Sequence, residues 1–413
     1  MTLAGPHPGA ESARVGRLEA PRVAPGRETA GLASVRSLYV HIPFCERRCE
    51  YCDFVSLAGR DRETEYIARL GAEIGDLAAR FSGVHLDTVF VGGGTPGFIA
   101  PELLERLMRE VRGGFALAAD CEITLEANPS STTEARAESW LRSGFTRVSL
   151  GIQSLEPEIL GFLGRVHDAG RAVAAVQEVS RAGFARVSCD LIYAVPGLGD
   201  ACWRATLERV VQLGPGHISA YELTVEPGTP LHARVRRGRA PGVDPEVALR
   251  QHRIAIEVME ASGHRQYEVS NFAVPGEECR HNLVYWRNGH YLAAGLGAHG
   301  HLPAALSPRL RLPAPSGAVA VRYWHGRSLP AYLASPAGEV PVQGWEAIGA
   351  AESEVERIMV GLRLAEGVRL PARRGDQAVP LLAAGLLWRR RSRIGATAHG
   401  QEVLDEVIRQ LTG

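Results

Sequence analysis

The chain has 413 residues, 46 basic and 46 acidic, with formal net charge zero, 45% apolar and 22% charged side chains. That composition suits a globular protein with a sizeable core, and the charge balance leaves no basic excess to neutralise nucleic-acid or membrane phosphates. Every basic residue is Arg. The absence of Lys excludes Schiff-base chemistry on a lysine amine, a Walker A phosphate loop and protein-kinase catalysis.

Residues 1–36 are rich in Ala, Pro, Gly and Arg, without hydrophobic periodicity or the apolar stretch of a secretory signal, and are expected to form a disordered tail. No apolar run approaches the roughly 18 residues of a transmembrane helix, so a cytoplasmic location is expected. The seven Cys, an odd number, favour reduced thiols or metal ligands over a disulfide framework. From Ser37 onward strand-length apolar runs alternate with helix-period segments. The strands are predicted over 37–42, 88–92, 122–127, 147–152, 186–193 and 217–223. The helices are predicted over 64–81, 101–112, 133–143, 171–182 and 201–213, with another over 245–262 after the sixth strand. Strand–helix alternation at this spacing predicts an α/β fold with a parallel sheet, either a partial (β/α)6 barrel or a doubly wound sheet. The Pro-rich stretch 302–317 reads as a loop. Helices expected over 351–364, 380–387 and 401–411 suggest a small, mostly helical C-terminal domain of winged-helix type.

Chemistry-bearing residues gather at the strand ends. The first strand runs into His41-Ile-Pro-Phe-Cys45-Glu-Arg-Arg-Cys49-Glu-Tyr-Cys52-Asp53-Phe54. The C-x3-C-x2-C spacing of Cys45, Cys49 and Cys52 lets three thiolates converge on one soft metal site. Iron–sulfur clusters take such ligands, whereas a structural zinc wants a fourth that does not stand at zinc-finger spacing. The plain alternative is three unrelated reduced thiols. The second strand ends in Gly92-Gly93-Gly94-Thr95-Pro96, where the backbone can approach a ligand closely. The third ends at Glu126, a carboxylate suited to ribose hydroxyls. The fourth ends at Gln153, with Arg165 and His167 beyond it. The fifth carries Asp190 and the sixth Tyr221. Polar groups at the C-terminal ends of successive parallel strands share the face that holds the active site in barrels, although each alone reads equally as a loop cap or a surface pair. Cys121, Cys189, Cys202 and Cys279 have no mutual ligand spacing and are given no role.

These motifs resemble the radical S-adenosylmethionine (SAM) superfamily. Within it they are similar to the heme-chaperone (HemW) branch of the oxygen-independent coproporphyrinogen III oxidase family, from about Ser37 to the C-terminus. The resemblance implies a [4Fe-4S] cluster on Cys45, Cys49 and Cys52 whose open iron binds SAM. It implies SAM contacts from Tyr39, Gly93, Gly94, Thr95, Glu126, Gln153, Arg165 and Asp190. It divides the chain into a radical SAM core at 37–272, a heme-associated segment and linker at 273–340, and a C-terminal domain at 341–413. The run His281-Asn282-Leu283-Val284-Tyr285-Trp286 matches the branch's H-N-x-x-Y-W signature, which implies heme on His281. An imidazole can ligate heme iron and the two aromatics offer flat faces, while residue chemistry alone favours His281 capping a loop beside core aromatics, and the resemblance reverses that preference. His290, His299 and His301 stand nearby as alternative ligands. The oxidase branch carries a further Cys two residues after the third, where this chain has Phe54. A heme chaperone that transfers heme to an acceptor protein is therefore expected, and oxidative decarboxylation of coproporphyrinogen III is the alternative. A flavodoxin or ferredoxin is an implied electron donor.

Overall fold

The computed structural model describes residues 25–313 and 316–413. Its frame is six parallel strands, β1 (Val35–Ile42), β2 (His85–Gly93), β3 (Ala116–Ala127), β4 (Arg147–Gln153), β5 (Arg186–Tyr193) and β6 (His217–Glu222). Helix α1 (Pro25–Ser34) leads into β1. The crossovers carry α2 (Glu63–Arg80), α3 (Pro101–Gly114), α4 (Glu134–Arg142), α5 (Pro157–Leu163), α6 (Ala169–Arg181) and α7 (Asp200–Gln212). After β6 come α8 (Pro230–Arg236), α9 (Pro245–Ala261), β7 (Arg265–Glu268), β8 (Asn271–Ala273) and α10 (Arg280–Trp286). Then follow β9 (His290–Ala294), β10 (His299–Pro303), β11 (Ala318–His325), α11 (Leu329–Leu333) and β12 (Val342–Gly349). One twelve-stranded sheet results, in the order β12-β11-β10-β9-β1-β2-β3-β4-β5-β6-β8-β7. β9 joins β1 in parallel, β10–β12 extend that side as antiparallel strands, and β6 pairs with β8, so the six-stranded barrel stays open.

Strand alternation explains where the core sits. Side chains at every second position point to one face. Outward go Leu38, Val40, Val89, Val91, Ile123, Leu125, Val148, Leu150, Val187, Leu191 and Ile218, all buried in one apolar cluster with the crossover helices. Inward go polar groups: Thr124 and Glu126 on β3, Ser149 on β4, Ser188 and Asp190 on β5, His217, Ser219 and Tyr221 on β6. The helices hold the outside by apolar packing, and the lumen is left polar. Capping sets the helix starts, with the side chains of Thr133 and Asp168 accepting backbone N–H groups at the beginnings of α4 and α6.

The C-terminal unit consists of α12 (Ala350–Gly361), β13 (Val368–Arg369), α13 (Gly375–Ala383), β14 (Leu387–Arg390), β15 (Arg393–Ala396), α14 (Ala398–Glu402) and α15 (Leu404–Thr412). Its antiparallel sheet, in the order β13-β15-β14, and its helices enclose a separate apolar core that includes Ile358, Leu381 and Val407.

Several expectations need correction. Residues 25–36, assigned to a disordered tail, form α1 and the start of β1, where Val35 is fully buried; the rest of that tail, 1–24, lies outside the described residues. The 273–340 segment is no linker, because it supplies three strands of the main sheet. Of the loop expected at 302–317, Leu302 and Pro303 close β10 and Ala304–Leu310 form a 3-10 helix. The helix expected at 380–387 ends at Ala383, and Leu387 opens β14.

Candidate functional site

The cluster loop leaves β1 and is pinned at its base. Phe44–Cys45 pairs in parallel with Leu57–Ala58, and Leu57 and Gly59 donate to the carbonyls of Pro43 (2.7 Å) and Cys45 (2.8 Å). Its far side is held by Glu50, whose N–H donates to Leu163 O (3.3 Å) and whose carbonyl accepts from Leu231 N–H (2.8 Å). Cys45 is buried, and Cys49 and Cys52 are partly exposed on the turn. Burial pushes the Cys52 thiol up to about 11, with the neighbouring sulfurs adding to the shift, and raises Cys45 as well. Thr95 Oγ1 stands 3.5 Å from Cys45 Sγ, and the Arg165 guanidinium donates to Cys49 Sγ at 3.2 Å. Among the described residues no three His, Cys, Asp or Glu side chains grip a single ion. A four-iron cluster makes a different demand, since each thiolate holds its own iron, and three thiols on one pinned turn with a cation against one sulfur fit it.

The rim beside this loop is built from the strand ends. Gly93 has φ of +115°, and a Cβ there would lie 2.5 Å from the His41 ring; at Gly94 a Cβ would meet the Pro43 backbone at 2.7 Å. Glycine is what permits the close turn at both positions. The Gly93 N–H donates to Glu126 Oε2 (2.9 Å), and the Asn128 amide donates to Thr95 Oγ1 (2.9 Å). Burial drives the Glu126 carboxyl up to about 7 against that N–H, and Asp190 adds to the rise. Arg165 also donates to Asn128 Oδ1 and Gly151 O, both at 2.7 Å. Gln153 closes β4 in the left-handed region, φ 62°, an unusual backbone for a side-chain-bearing residue. Tyr39 OH lies 2.9 Å from His41 Nδ1, and His41 Nε2 lies 2.8 Å from Val55 O, tying the rim to the cluster loop. Asp190 sits lower, in the lumen, accepting from Ser149 (2.9 Å) and Ser219 (2.8 Å). Tyr39, Gly93, Gly94, Thr95, Glu126, Gln153 and Arg165 thus meet at one rim beside the three Cys, with Asp190 beneath.

His281 stands apart from that rim. Helix α10 plugs the other end of the barrel, and His281 is fully buried there. Its Nδ1 pairs with Thr88 Oγ1 (2.8 Å), its Nε2 with Tyr285 OH (2.9 Å), and its N–H donates to Glu122 Oε1 (3.1 Å). Burial lowers the imidazole to about 3. The ring of His281, on which the resemblance implies heme, is therefore not presented to an iron here: both ring nitrogens are engaged inside the protein. Around the plug Arg186 pairs with Glu122 at 3.2 Å, and Arg147, itself buried, comes within 4.0 Å. The sequence reading missed His41, Asn128 and this plug. His41 opens the cysteine motif and Asn128 stands two residues after Glu126, but only the fold reveals what their side chains hold.

Comparison with known proteins follows the same lines. The family model of the radical SAM superfamily matches residues 39–210. The chain is 38% identical over 384 residues to the heme chaperone HemW of Mycobacterium tuberculosis (strain ATCC 25618 / H37Rv), covering 91% of this chain and 94% of that one. It is 37% identical over 273 residues to the heme chaperone HemW of Escherichia coli (strain K12), covering 64% and 69%. It is 38% identical over 278 residues to the mitochondrial radical S-adenosyl methionine domain-containing protein 1 of Bos taurus, covering 67% and 62%. Among solved structures it superposes on the coproporphyrinogen III oxidase HemN of Escherichia coli with a TM-score of 0.76 at 22% identity, covering 92% and 91%; at that identity the likeness concerns the fold.

Proposed function

The chain belongs to the radical SAM superfamily and, within it, to the heme chaperone HemW family, and from that premise we infer that it binds heme and passes it to an acceptor protein, in the cytoplasm. The observation that carries this over the oxidase reading is Phe54, 47% exposed beside the cluster loop, where the oxidase branch has a further Cys. A phenyl ring supplies no thiolate.

The cofactors of this reading are a [4Fe-4S] cluster on Cys45, Cys49 and Cys52 and SAM at the rim. When bound, the cluster supplies an open iron position and an electron, the latter from a flavodoxin- or ferredoxin-like donor. Arg165 sets a fixed positive charge against Cys49 and braces Asn128 and Gly151. Glu126 has Oε2 occupied by Gly93 N–H, so its other oxygen is the one that would accept from the ribose hydroxyls of SAM. Tyr39, Gly94, Thr95 and Gln153 complete the wall, and Asp190 closes its floor. Among the described residues no helix is long and apolar enough to cross a membrane.

The test uses anaerobically reconstituted full-length protein. Hemin titration followed at the Soret band is expected to show binding, and heme is expected to move to an added apo-hemoprotein. Protoporphyrinogen IX formed over many turnovers from coproporphyrinogen III, SAM and a reductant would replace the chaperone reading with the oxidase one.

A further inference from the structure

The small antiparallel sheet of the C-terminal unit has two unlike faces. Val368, Leu387 and Ile394 point from one face into the apolar core. The other face carries charge. Arg390 stands opposite Arg393 and Arg393 opposite Arg369, so three arginines form a row across β14, β15 and β13. Neighbouring strands lie about 4.8 Å apart, and like charges directly opposite one another destabilise a sheet. Two residues along the same face, the Trp388 indole lies across Gly395 and Gly367. A Cβ at Gly395 would strike the ring, and one at Gly367 would come within 2.9 Å of it. The Arg390 guanidinium sits over this indole, 5.1 Å from the ring centroid. Arg389 on the edge strand and Arg391 at the hairpin tip add two more exposed guanidinium groups. From 377 to 401 the chain has no Asp or Glu. Glu366 pairs with Arg393 at 3.1 Å and is shared with Arg287 at 3.2 Å. Among the described residues no ion pair takes Arg369, Arg389, Arg390 or Arg391. In a chain of zero net charge, the fold thus gathers positive charge on one small face against its own repulsion.

We propose that this face docks an acidic segment of a partner protein. Guanidinium groups bind carboxylates through paired N–H donors, and a row of them at strand spacing offers successive places to a run of Asp or Glu. A bound run also relieves the repulsion within the row. Arg390, already stacked on Trp388, has less freedom to lose on binding than an unsupported side chain. Nucleic acid fits less well. Helix α13, which precedes the hairpin, has no basic residue and carries Asp376 in its first turn, so the unit presents no basic helix to a groove. A lipid surface fits less well too, because among the described residues none of the exposed large apolar side chains belongs to this sheet. Nothing in the face concerns heme, so the docking stands apart from the chaperone reading.

The experiment titrates the reconstituted full-length protein into a short fluorescein-labelled oligoglutamate peptide and follows anisotropy, with duplex DNA and phosphatidylglycerol vesicles as competing probes. Wild type is expected to bind the peptide, more weakly as salt rises. A variant combining Arg369→Gln, Arg390→Gln and Arg391→Gln is expected to bind about tenfold or more weakly. Its denaturation midpoint is expected not to fall, since the substitutions relieve like-charge repulsion, and this separates lost docking from lost folding. Arg369→Gln alone, at the exposed end of the sheet, is expected to weaken binding severalfold. A variant combining Arg236→Gln and Arg237→Gln, two exposed arginines at the end of α8, is expected to bind like wild type. Wild type that ignores the peptide overturns the proposal, as does a triple variant that binds like wild type. Equal loss in the α8 variant overturns it as well, since the attraction would then be diffuse. DNA or vesicles held through the same arginines more tightly than the peptide would replace the acidic segment with nucleic acid or lipid.

Discussion

Cys49 is held from two directions, by its place on the pinned loop and by the Arg165 guanidinium. Cys49→Ala is expected to abolish the cluster, measured as iron content and absorbance after anaerobic reconstitution; a normal cluster in that variant would refute the ligand set. Gly93→Ala adds a methyl 2.5 Å from the His41 ring at a φ of +115°. An L-residue is strained there whatever the space, so the rim should distort and SAM affinity fall by tenfold or more, with wild-type affinity as the contrary outcome. Glu126→Ala removes a carboxyl acceptor, a loss of roughly 0.5–3 kcal/mol according to its protonation, seen as a fall in SAM affinity that is larger above pH 7, read by equilibrium binding with the cluster intact.

At the level of elements, α10 acts as a plug, and its removal should be felt as stability. His281→Ala strands the hydroxyl of Tyr285, removes one of the two partners of Thr88 Oγ1, which keeps Ser37, and leaves a cavity, so a loss of about 2–4 kcal/mol is expected, measured as a lowered denaturation midpoint; an unchanged midpoint would mean that the imidazole holds nothing. The six parallel strands and the crossover helices other than α5 were legible because alternation and helix period there are clean: 186–193 is predicted and found over the same residues, and 147–152 gains only Gln153. The rim was legible too, since parallel strands bring their C-terminal ends together whatever the intervening chain. The β9–β12 extension was not. Its strands carry Gly and Pro, as in Gly300 and Pro303, and its pairing depends on β9 returning to β1 from more than 240 residues away in sequence. Nor could the register of α10 be read locally, because His281 is drawn inward by partners on β2 and β3 that no spacing along the chain announces.

For the molecule as a whole, buried imidazoles set the acid limit. His217 is held well below its ordinary value, His281 at about 3 and His290 at about 4, in each case chiefly by burial. The unfolded chain protonates these rings near pH 6.5 and the folded one does not. Their contribution is therefore complete above pH 6.5 and is lost as pH falls toward 4, at about 1.4 kcal/mol per pH unit for each ring. Glu268, raised to about 7 by burial, runs the other way, gaining stability on acidification below pH 7. His41, His167, His252, His299 and His301 are lowered in the same way and Glu126, Asp190 and Glu222 raised like Glu268; with eight rings against four carboxyls, the denaturation midpoint should fall between pH 6.5 and 4.5, and a flat profile would contradict the burial of these histidines. The polar lumen carries one more consequence, a calorimetric one. Unfolding a barrel filled with Val, Ile and Leu exposes apolar surface and raises the heat capacity, whereas hydrating hydroxyls and carboxylates lowers it. A barrel lined by Ser149, Ser188, Ser219, Thr124 and Asp190 should therefore unfold with a heat-capacity increment per residue below that of an apolar-filled barrel of equal length. Its stability would then bend less steeply with temperature on both the warm and the cold side.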